Sequence, residues 1–432
     1  MVKVKLLVAA LALAVGGLGA TVPAAAEPTT PLPYPAGATA TRYTGLAFDT
    51  CTAPSVAQMT AWLASPYRAV GIYIGGVNRS CAQPQLTPSW VSSVTRMGFR
   101  LIPIYMGYQA PCTFRTNAVK MTVPSATFQG GLLARDAVNA AKALNLLGGS
   151  AIYADMEHYN IADSTCRTTV LRYLSAWTKQ LHALGYLSGV YAHQNSGAVD
   201  LAAAYNSSSY ARPDALWIAR WDNSSSLTNW PTVPNTFWLV GQRGKQYRGD
   251  HNETYGGVTL NIDNDRFDAP AATVWYTYTV RATIYSYSGP STAYAIRSTI
   301  PANSAVRIVC QTFGPKIGTS TVWNRLVDGT YVIDYYVRTP NKTGYSAPIP
   351  GCTFPYQTTI NNLTRRHGPG TAYSAYPNPL PIGSLAWISC QRAGSKVGTT
   401  VVWDRLTDGS WVTDYYVATP SKTTYSPPNR RC

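Results

Sequence analysis

The chain has 432 residues and a formal net charge of +16, from 35 Lys and Arg against 19 Asp and Glu. Only 12% of the residues are charged, about half the usual ~25%, whereas 46% are hydrophobic. This hydrophobic content argues against a disordered protein, and the lack of helical periodicity beyond the N-terminal region argues against a helical bundle. The excess of positive charge favours an anionic partner, such as a polyanionic cell wall or a nucleic acid.

Residues 1–26 have the composition of a secretory signal peptide. Two lysines precede an apolar run from Leu6 to Leu18, and three alanines at 24–26 fit a small-residue cleavage site. The run is too short to span a bilayer, and no other stretch of the sequence reaches that length. Residues 27–41 are rich in Pro, Thr and Ala and are predicted to form a flexible leader. We therefore expect a secreted protein, extracellular or associated with the cell wall.

Residues 42–270 alternate short apolar runs with helix-length segments, which is the pattern of a parallel α/β domain. Helices are predicted at 54–65, 134–148 and 169–185. Strands are predicted at 44–49, 69–76, 99–107, 151–157, 186–193, 215–221, 236–242 and 260–265. Eight strands in a domain of this size favour a (β/α)8 TIM-type barrel, with a doubly wound open sheet as the alternative.

Function in such a barrel lies at the carboxyl ends of the strands. The residues at those ends are Asp49, Asp155, Glu157, Tyr191, His193, Trp217, Trp221, Gln242, Asp263 and Asp265. Asp155 and Glu157 lie two positions apart on one strand, so both side chains face the same side. Crowded carboxylates repel, so one pKa is expected to rise, and a glutamate with a raised pKa suits a general acid. Acids are scarce here, and Glu157 is one of only three glutamates.

The other acids at the strand ends also have structural interpretations. Asp49 can cap the helix that follows it. Of Asp263 and Asp265, one can face inward while the other caps a loop. His158 follows the acidic pair on the opposite face and is interpreted as a loop or supporting residue, and His193 as a polar group of the rim.

Three tryptophans near the strand ends are either core residues or platforms for sugar rings. They are Trp217, Trp221 and Trp238. Because side chains alternate along a strand, only one or two of them can face the mouth of the barrel.

Four of the eight cysteines follow the first four predicted strands, namely Cys51, Cys81, Cys112 and Cys166. An even number of cysteines in an exported chain predicts disulfides, and neither a C-x-x-C motif nor a nearby His pair supports a metal site. Among three possible connectivities, neighbouring loops favour Cys51–Cys81 and Cys112–Cys166. No metal and no cofactor are expected.

The C-terminal third contains an internal repeat. Residues 310–352 and 390–432 are identical at 25 of 43 positions, within modules that span 275–352 and 356–432. Short β-runs are broken by Gly and Pro, and an Asp-Gly pair at 328–329 and again at 408–409 predicts a hairpin turn. Each module is predicted to be a small all-β barrel. The predicted disulfides are Cys310–Cys352 and Cys390–Cys432.

Most of the positive charge belongs to these repeats. Residues 271–432 contain 15 Lys and Arg and 5 Asp, against 18 and 13 acids in residues 42–270. We expect the repeats to bind an anionic polymer through this charge and their aromatic residues, although a solvated basic surface is the alternative. Nucleic acid is the weaker candidate partner, because its recognition motifs are absent.

Sequence motifs in both regions resemble known families. In the repeats, the pattern W-x-R-L-x-D-G-x-(Y/W)-V-x-D-Y-Y-V resembles bacterial SH3-like domains, which serve as wall-binding modules on secreted wall hydrolases. In the large domain, YADMEHYN, SGVYAHQ, LWIARW and NIDNDRF resemble, in order, the strand ends of the family 25 glycoside hydrolases, the lysozyme-type muramidases. The segments GLAFDTCTAPSVAQM and SPYRAVGIYIGGVN look closer to a glycoside-hydrolase-like domain of secreted actinobacterial proteins. This resemblance covers about 42–268.

The resemblance implies that Glu157 is the general acid, Asp155 its DxE partner, and Asp49 and Asp263 the acids of strands 1 and 8. Asp155 could position a substrate N-acetyl group for neighbouring-group attack, or Asp49 or Asp263 could activate water. The muramidase strand 1 usually reads G-x-D, whereas Gly45 precedes Asp49 by four positions here. The predicted substrate-binding residues are Tyr191, Trp217, Trp221 and Gln242.

Together these features predict a muramidase-like glycoside hydrolase that acts on peptidoglycan or a related aminosugar glycan. Two SH3-like modules would hold it on the wall, with anionic wall polymers as further partners, and the protein is expected to be a monomer. The alternative is a non-catalytic wall-glycan-binding protein with a pseudoenzyme barrel.

Overall fold

The computed structural model describes residues 39–432, so the predicted signal peptide and most of the predicted leader lie outside the described residues. Within that range, no helix has the length and apolar character needed to cross a membrane. The first strand begins at Thr41. Ala40 before it is buried, and its N–H donates to the carbonyl of Thr353 at 3.5 Å. The chain is therefore already packed where this strand starts.

Eight strands close into a barrel in the order β1 to β8. They are β1 Thr41–Asp49, β2 Ala69–Gly75, β3 Arg100–Tyr105, β4 Ala151–Met156, β5 Leu187–His193, β6 Ala215–Ala219, β7 Arg243–Tyr255 and β8 Val258–Ala271. The helices between them are α1 Val56–Ala61, α2 Pro88–Arg96, α3 Ala126–Ala143, α4 Ser164–Ala183 and α5 Gly197–Ala203. Strands β1 to β7 run parallel to one another. The closed barrel confirms the expected eight-stranded architecture and rules out the open sheet.

The last strand corrects the prediction of a complete (β/α)8 barrel. β8 runs antiparallel to both β7 and β1. Gly256 and Gly257 join β7 to β8, with φ of +57° and +77°. A two-residue turn with both φ values positive suits a hairpin, and glycine adopts it without steric cost. A hairpin therefore replaces the last helical crossover of the barrel.

The prediction of a strand at 236–242 was wrong. This segment forms turns, and β7 begins only at Arg243. Trp238 and Val240 have φ of +48° and +59°, outside the range of a β-strand. Trp238 is fully buried, and its indole N–H donates to the carbonyl of Pro213 at 2.8 Å. The apolar run reflects a buried turn, which hydrophobicity alone does not distinguish from a strand.

Local capping explains where several helices begin. Ser55 and Gln58 form a reciprocal capping box at α1, Thr87 caps α2 just before Pro88, and Asp163 caps α4. The three predicted helices overlap α1, α3 and α4, whereas α2 and α5 were not predicted.

Alternate residues of the strands fill the barrel interior. Tyr153, Trp217 and Phe267 pack edge to face, with ring centroids 5.0 to 6.0 Å apart. Gly189 makes room for this layer, because a Cβ there would lie 2.3 Å from the ring of Tyr153. The aromatic layer forms a solid floor beneath the mouth of the barrel.

The two repeats form antiparallel sheets. The first contains β9 Tyr276–Thr279, β10 Ile284–Tyr287, β11 Ile296–Ile300, β12 Ala305–Ile317, β13 Ser320–Leu326 and β14 Tyr331–Ile333, in the order β11-β10-β14-β13-β12-β9. The second contains β15 Phe354–Gln357, β16 Leu385–Val397, β17 Thr400–Leu406 and β18 Trp411–Thr413, in chain order. Gly329 and Gly409, with φ of +84° and +86°, lie in the turns after β13 and β17, as their Asp-Gly pairs predict.

The second repeat also closes the bottom of the large barrel. Leu385 and Trp387 are buried in the same cluster as the barrel interior. The corresponding residues of the first repeat are Ala305 and Arg307, which are exposed. The two copies have therefore diverged in the face that packs against the barrel.

Four disulfides connect the chain, as the sequence predicts. They are Cys51–Cys81, Cys112–Cys166, Cys310–Cys352 and Cys390–Cys432. The first joins two loops at the mouth of the barrel, the second joins a loop to the first turn of α4, and the last two lie one in each repeat. This content of disulfides fits an oxidising compartment.

Candidate active site

An open cleft of about 260 Å³ lies at the mouth of the barrel. Four acids line it, namely Asp49, Glu157, Asp250 and Asp263. Two arginines, Arg79 and Arg115, and the ring of Tyr73 also line it. The cleft therefore combines carboxyl groups from three sides of the barrel with positive charge on its rim.

Gln246 on β7 connects two of these acids. Its Nε2 donates to Oδ2 of Asp49 at 2.9 Å and to Oδ2 of Asp263 at 3.0 Å. Its Oε1 accepts hydrogen bonds from the Tyr191 hydroxyl and the Trp221 indole, both at 2.9 Å. All of the hydrogen-bonding capacity of this amide is used, so Gln246 fixes the orientation of four side chains at once.

Asp49 and Asp263 lie opposite each other in the antiparallel β1–β8 register. Asp49 is buried; burial and, second, repulsion from Asp263 raise its pKa from 3.8 to about 7. Burial also raises the pKa of Asp263, whose Oδ1 accepts from the Asp250 N–H. Gly71 keeps this arrangement open, because a Cβ there would lie 2.5 Å from Cβ of Asp49.

Asp265 lies below this pair and faces the same way. Its Oδ1 accepts from the Trp217 indole at 3.1 Å, and its carboxyl group lies within hydrogen-bonding reach of Asp49. Two carboxyl groups can share a hydrogen bond only when one carries a proton. Burial, followed by the charges of Asp49 and Asp263, raises the pKa of Asp265 well above its ordinary value. The expectation that only one of Asp263 and Asp265 faces inward was therefore wrong.

Asp155 and Glu157 lie at the end of β4, across the mouth from Asp49. Asp155 is buried, and its Oδ1 has no hydrogen-bond partner among the described residues. Glu157 reaches the cleft. Within this pair, the acid with the raised pKa is Asp155, because burial and, second, the charge of Glu157 disfavour its ionised form.

Gln109 holds the backbone that carries this pair. It is fully buried, its Nε2 donates to the carbonyl of Asp155 at 2.8 Å, and its Oε1 accepts from the N–H of Glu157 at 2.9 Å. One amide thus fixes both peptide groups that flank Met156, between the two acids.

Arg115 pairs with Glu157 across the cleft. The distance from Nη1 to Oε1 is 3.1 Å, with 42% of the arginine side chain and 32% of the glutamate side chain exposed. An ion pair this exposed contributes little, about 0 to 1 kcal/mol, so a ligand can displace it at small cost.

The four predicted substrate-binding residues separate into two groups. Tyr191 and Trp221 lie at the mouth, and Trp221 is 64% exposed. Trp217 is 1% exposed and lies in the aromatic floor. Gln242 is buried near the start of β6 and donates to the carbonyl of Asp214 at 2.5 Å. Trp217 and Gln242 are therefore structural residues, because neither is accessible to a ligand in the cleft.

Two histidines lie beside the acidic pair. The rings of His158 and His193 stack with centroids 4.1 Å apart, and Phe114 packs against His158 at 4.9 Å. Burial lowers the pKa of His193, with the charge of His158 as a second cause. This stack forms part of the wall near β4 and β5.

Residues of the site that were not predicted as part of it include Gln109, Gln246, Arg79, Arg115 and Asp250, whereas Asp265 was predicted only as an alternative to Asp263. Gln246 was missed because the strand carrying it was placed too early in the chain. The Gly-Gly pair at 256–257, between two β-like runs, was the available signal for the hairpin that positions it. Asp265 follows the same two-residue spacing as Asp155 and Glu157. No comparable signal pointed to Gln109. Across residues 39–432, no group of three or more His, Cys, Asp or Glu is arranged to hold a metal ion.

Comparisons with known proteins concern this barrel. No protein with a curated description matches the chain. Among solved structures, the chain is similar to the Tat-secreted protein Rv2525c of Mycobacterium tuberculosis in complex with L-tartrate, with 16% identity over 52% of this chain and 96% of that chain and a TM-score of 0.36. It is similar to a family 25 glycosyl hydrolase from Bacillus anthracis, with 14% identity over 52% and 89% and a TM-score of 0.32. It is also similar to the Clostridium perfringens spore cortex lytic enzyme SleM, with 11% identity over 67% and 95% and a TM-score of 0.34.

A family model matches the chain over residues 60–267, and its description is the Rv2525c-like, glycoside hydrolase-like domain. The match includes Asp155, Glu157, Gln246 and Asp263, whereas Asp49 lies just before it. The chain therefore contains an Rv2525c-like, glycoside hydrolase-like domain, and that domain forms most of the acidic cleft.

Proposed function

We propose that the barrel hydrolyses a cell-wall glycan, either peptidoglycan or a related aminosugar polymer, with Glu157 as the general acid. The observation that carries this proposal is that Asp49, Glu157 and Asp263 line one open cleft, with Asp155 buried beside Glu157. Cleavage of a glycosidic bond needs one carboxyl group that protonates the leaving oxygen and a second group that assists at the sugar carbon. Both kinds of group are present at this mouth.

Glu157 is the acid of the β4 pair that reaches the cleft, so it is the one that can contact a glycosidic oxygen. Asp155 beneath it is buried, and burial and, second, the charge of Glu157 raise its pKa well above the ordinary value, which favours its neutral form. A neutral Asp155 avoids a second negative charge next to Glu157. We assign Asp155 a positioning role unless substrate binding exposes it to an N-acetyl group.

Asp49 and Asp263 support the route in which an acid across the barrel activates water. Both line the cleft, and Gln246 holds both carboxyl groups in fixed orientations. In this route Glu157 protonates the leaving oxygen as the C–O bond breaks, and the ionised acid takes a proton from the water that attacks the sugar carbon.

The positive rim of the cleft supports a substrate that carries carboxylates. Arg79 and Arg115 line the same cleft as the acids. Peptidoglycan bears carboxylates on its peptides, so its strands can pair with guanidinium groups in a way that a neutral glycan cannot.

We further propose that the two repeats are SH3-like modules that hold the protein on the wall, and that the protein is secreted. The excess of 15 Lys and Arg over 5 Asp in residues 271–432 supports binding to an anionic wall polymer. The N-terminal sequence and the four disulfides support export.

The alternative function is glycan binding without hydrolysis. The ion pair between Arg115 and Glu157 favours it, because the guanidinium occupies a carboxyl oxygen that would have to contact the glycosidic oxygen. Displacement of Arg115 by the substrate would remove this obstacle.

The test is the release of reducing ends from purified peptidoglycan by the wild type and two variants. Glu157→Gln removes the proposed acid and is expected to lower the rate by about 10²–10⁴-fold. Asp250→Asn is the matched control, because Asp250 is an exposed carboxylate of the same cleft and its loss should change the rate only a few-fold. A wild type that sediments with peptidoglycan but releases no reducing ends would establish the alternative.

A further inference from the structure

A second cleft, of about 670 Å³, lies between the two repeats and far exceeds the volume at the barrel mouth. Its walls come from both copies. The first repeat contributes Tyr294 and Phe313, and the second contributes Tyr425, Asn429, Arg430 and Arg431. We call this cleft the inter-repeat groove.

Asn429 is the unusual residue of the inter-repeat groove. It is only 8% exposed, yet neither its Oδ1 nor its Nδ2 has a hydrogen-bond partner among the described residues. Burying an amide without partners destabilises a fold, because the amide loses its bonds to water and gains none. Both amide atoms are almost inaccessible to solvent in this conformation, so a ligand that carries a donor and an acceptor pairs with them after the side chain turns into the groove that it lines.

The first repeat shows that the fold does not need this amide. The residue at the same position of the first repeat is Ile349, which is buried in the core at 4% exposure. The next two positions are Pro350 and Gly351 in the first repeat, and both are arginines in the second. Three adjacent positions of the duplicate have therefore diverged together, and all three line the inter-repeat groove.

The two arginines are held in place but not neutralised. The Arg430 guanidinium lies 5.5 Å from the ring centre of Phe313, and that of Arg431 lies 4.4 Å from the ring centre of Tyr425. Across residues 39–432, neither guanidinium forms an ion pair with a carboxylate. Nη1 of Arg430 donates to the carbonyl of Arg431 at 3.4 Å. Stacking covers the face of a guanidinium, and the remaining N–H groups are open to an anion.

The same stacking argues against a neutral sugar as the ligand. Phe313 has the ring of Tyr345 stacked against it at 4.7 Å and Arg430 as a further neighbour, so little of its face remains for a sugar ring. Among the residues that the structure describes, Asn429 of the groove lacks a hydrogen-bond donor and an acceptor as partners, and the two arginines lack a carboxylate partner. A peptide with a carboxylate supplies both from adjacent atoms.

We propose that the inter-repeat groove binds a short acidic peptide. A backbone amide of the peptide pairs with Oδ1 and Nδ2 of Asn429, and a carboxylate of the peptide pairs with Arg430 or Arg431. The site is distinct from the barrel mouth, so it does not depend on hydrolysis by the barrel.

The first test is an NMR titration of the ¹⁵N-labelled full chain. The probes are N-acetyl-Ala-Glu-Ala-amide, its neutral counterpart N-acetyl-Ala-Gln-Ala-amide, and chitotetraose as a glycan. We expect the acidic peptide to shift the side-chain amide signals of Asn429 and to bind at least tenfold more tightly than the neutral peptide. Equal binding of the two peptides, a response to chitotetraose alone, or no response at millimolar peptide would overturn the proposal.

The second test replaces Asn429 by the residue that the first repeat has at this position, so that the variant is expected to fold. Asn429→Ile restores the residue of the first repeat, so it is expected to raise the thermal midpoint and to weaken binding of the acidic peptide at least tenfold. The double variant Arg430→Gln, Arg431→Gln should remove the preference for the acidic peptide without a loss of fold. An Asn429→Ile protein that binds the peptide as the wild type does would contradict the assignment. Hydrolysis of peptidoglycan is not measured, so the outcome is independent of the proposed activity of the barrel.

Discussion

Asp49 on β1 lies directly opposite Asp263 on β8, and both carboxyl groups accept a hydrogen bond from the same Nε2 of Gln246. Two acids that share one donor in a buried site repel each other when both are ionised. Burial raises the pKa of both, that of Asp49 to about 7. The mouth of the barrel therefore keeps a proton at a pH where acids on the surface have lost theirs.

Replacing Gln246 should disrupt the site and the fold together. Gln246→Leu leaves the two carboxyl groups without their shared donor and Tyr191 and Trp221 without their acceptor. We expect a loss of about 2–4 kcal/mol in the free energy of unfolding, because buried partners become unsatisfied. The rate of glycan hydrolysis should also fall at least tenfold. Urea unfolding and the release of reducing ends measure the two effects.

Gln242, the residue just before β7, provides a matched control. Gln242→Leu also removes a buried amide, but that amide donates to the Asp214 carbonyl at the opposite end of the barrel. It should destabilise the protein without changing the rate measured at a temperature where both variants are folded. Equal losses of activity in the two variants would mean that Gln246 acts only through stability.

The raised pKa of Asp49 predicts how stability depends on pH. An acid whose pKa is higher in the folded state stabilises the fold fully below its unfolded pKa and loses that contribution as the pH rises through the folded value. For Asp49 the loss falls between the ordinary value of 3.8 and about 7. Asp49→Asn cannot ionise, so its free energy of unfolding should change less over this interval, and at pH 8 the variant should be the more stable protein by a few kcal/mol, on the order expected for such a pKa difference.

Urea unfolding of the wild type and Asp49→Asn at pH 4, 6 and 8 measures this effect. Asp250→Asn serves as a control, since Asp250 is exposed at the rim. Parallel stability profiles for the wild type and Asp49→Asn would show that Asp49 remains ionised in the folded protein.

Substitution by alanine should affect different properties at Trp217 and Trp221, namely stability at the first and glycan binding at the second. Trp217→Ala removes a ring from the floor of the barrel and should cost about 3–5 kcal/mol of stability. Trp221 is mostly exposed at the mouth, so Trp221→Ala should change stability much less. If Trp221 is a sugar platform, this variant should bind peptidoglycan about tenfold more weakly, as a co-sedimentation assay would show. Unchanged binding would leave Trp221 as a rim residue that only supports Gln246.

The barrel and most of its acids could be predicted because their signals are local. Each parallel strand is a short apolar run, and each acid ends a strand or follows one by a residue or two, as Asp49 and Glu157 do. The disulfides follow from the same order, since loops after neighbouring strands are close in space.

The hairpin β7–β8 and the contacts that depend on it could not be placed in this way. The apolar residues around Trp238 belong to a buried turn, so the seventh strand was assigned too early and Gln242 took the place of Gln246. Asp263 reaches the cleft through the antiparallel register with β1 rather than as the end of a parallel strand. The burial of Trp387 beneath the barrel likewise depends on long-range packing that the sequence pattern of a repeat does not contain.

The internal repeat allows a last prediction, about a buried acid in the second copy. Asp404 is fully buried beside Asp414, and both accept from Nε2 of Gln391, at 2.7 and 3.1 Å. The first copy has Asn324 in the place of Asp404, and its Nδ2 donates to Oδ1 of Asp334 at 2.9 Å. Asp404 can make the equivalent bond only when it is protonated.

Burial and, second, the charge of Asp414 raise the pKa of Asp404 well above its ordinary value. Its contribution to stability is therefore complete at low pH and declines as the pH rises above about 4, since the folded state must hold a proton that the unfolded chain releases. Asp404→Asn copies the donor of the first repeat and should raise the free energy of unfolding by about 1–3 kcal/mol at pH 8, with little effect at pH 4. The reverse substitution, Asn324→Asp, should introduce the same pH-dependent loss into the first repeat. Thermal unfolding at the two pH values measures both, and an Asp404→Asn protein less stable than the wild type at pH 8 would show that Asp404 is ionised in the fold.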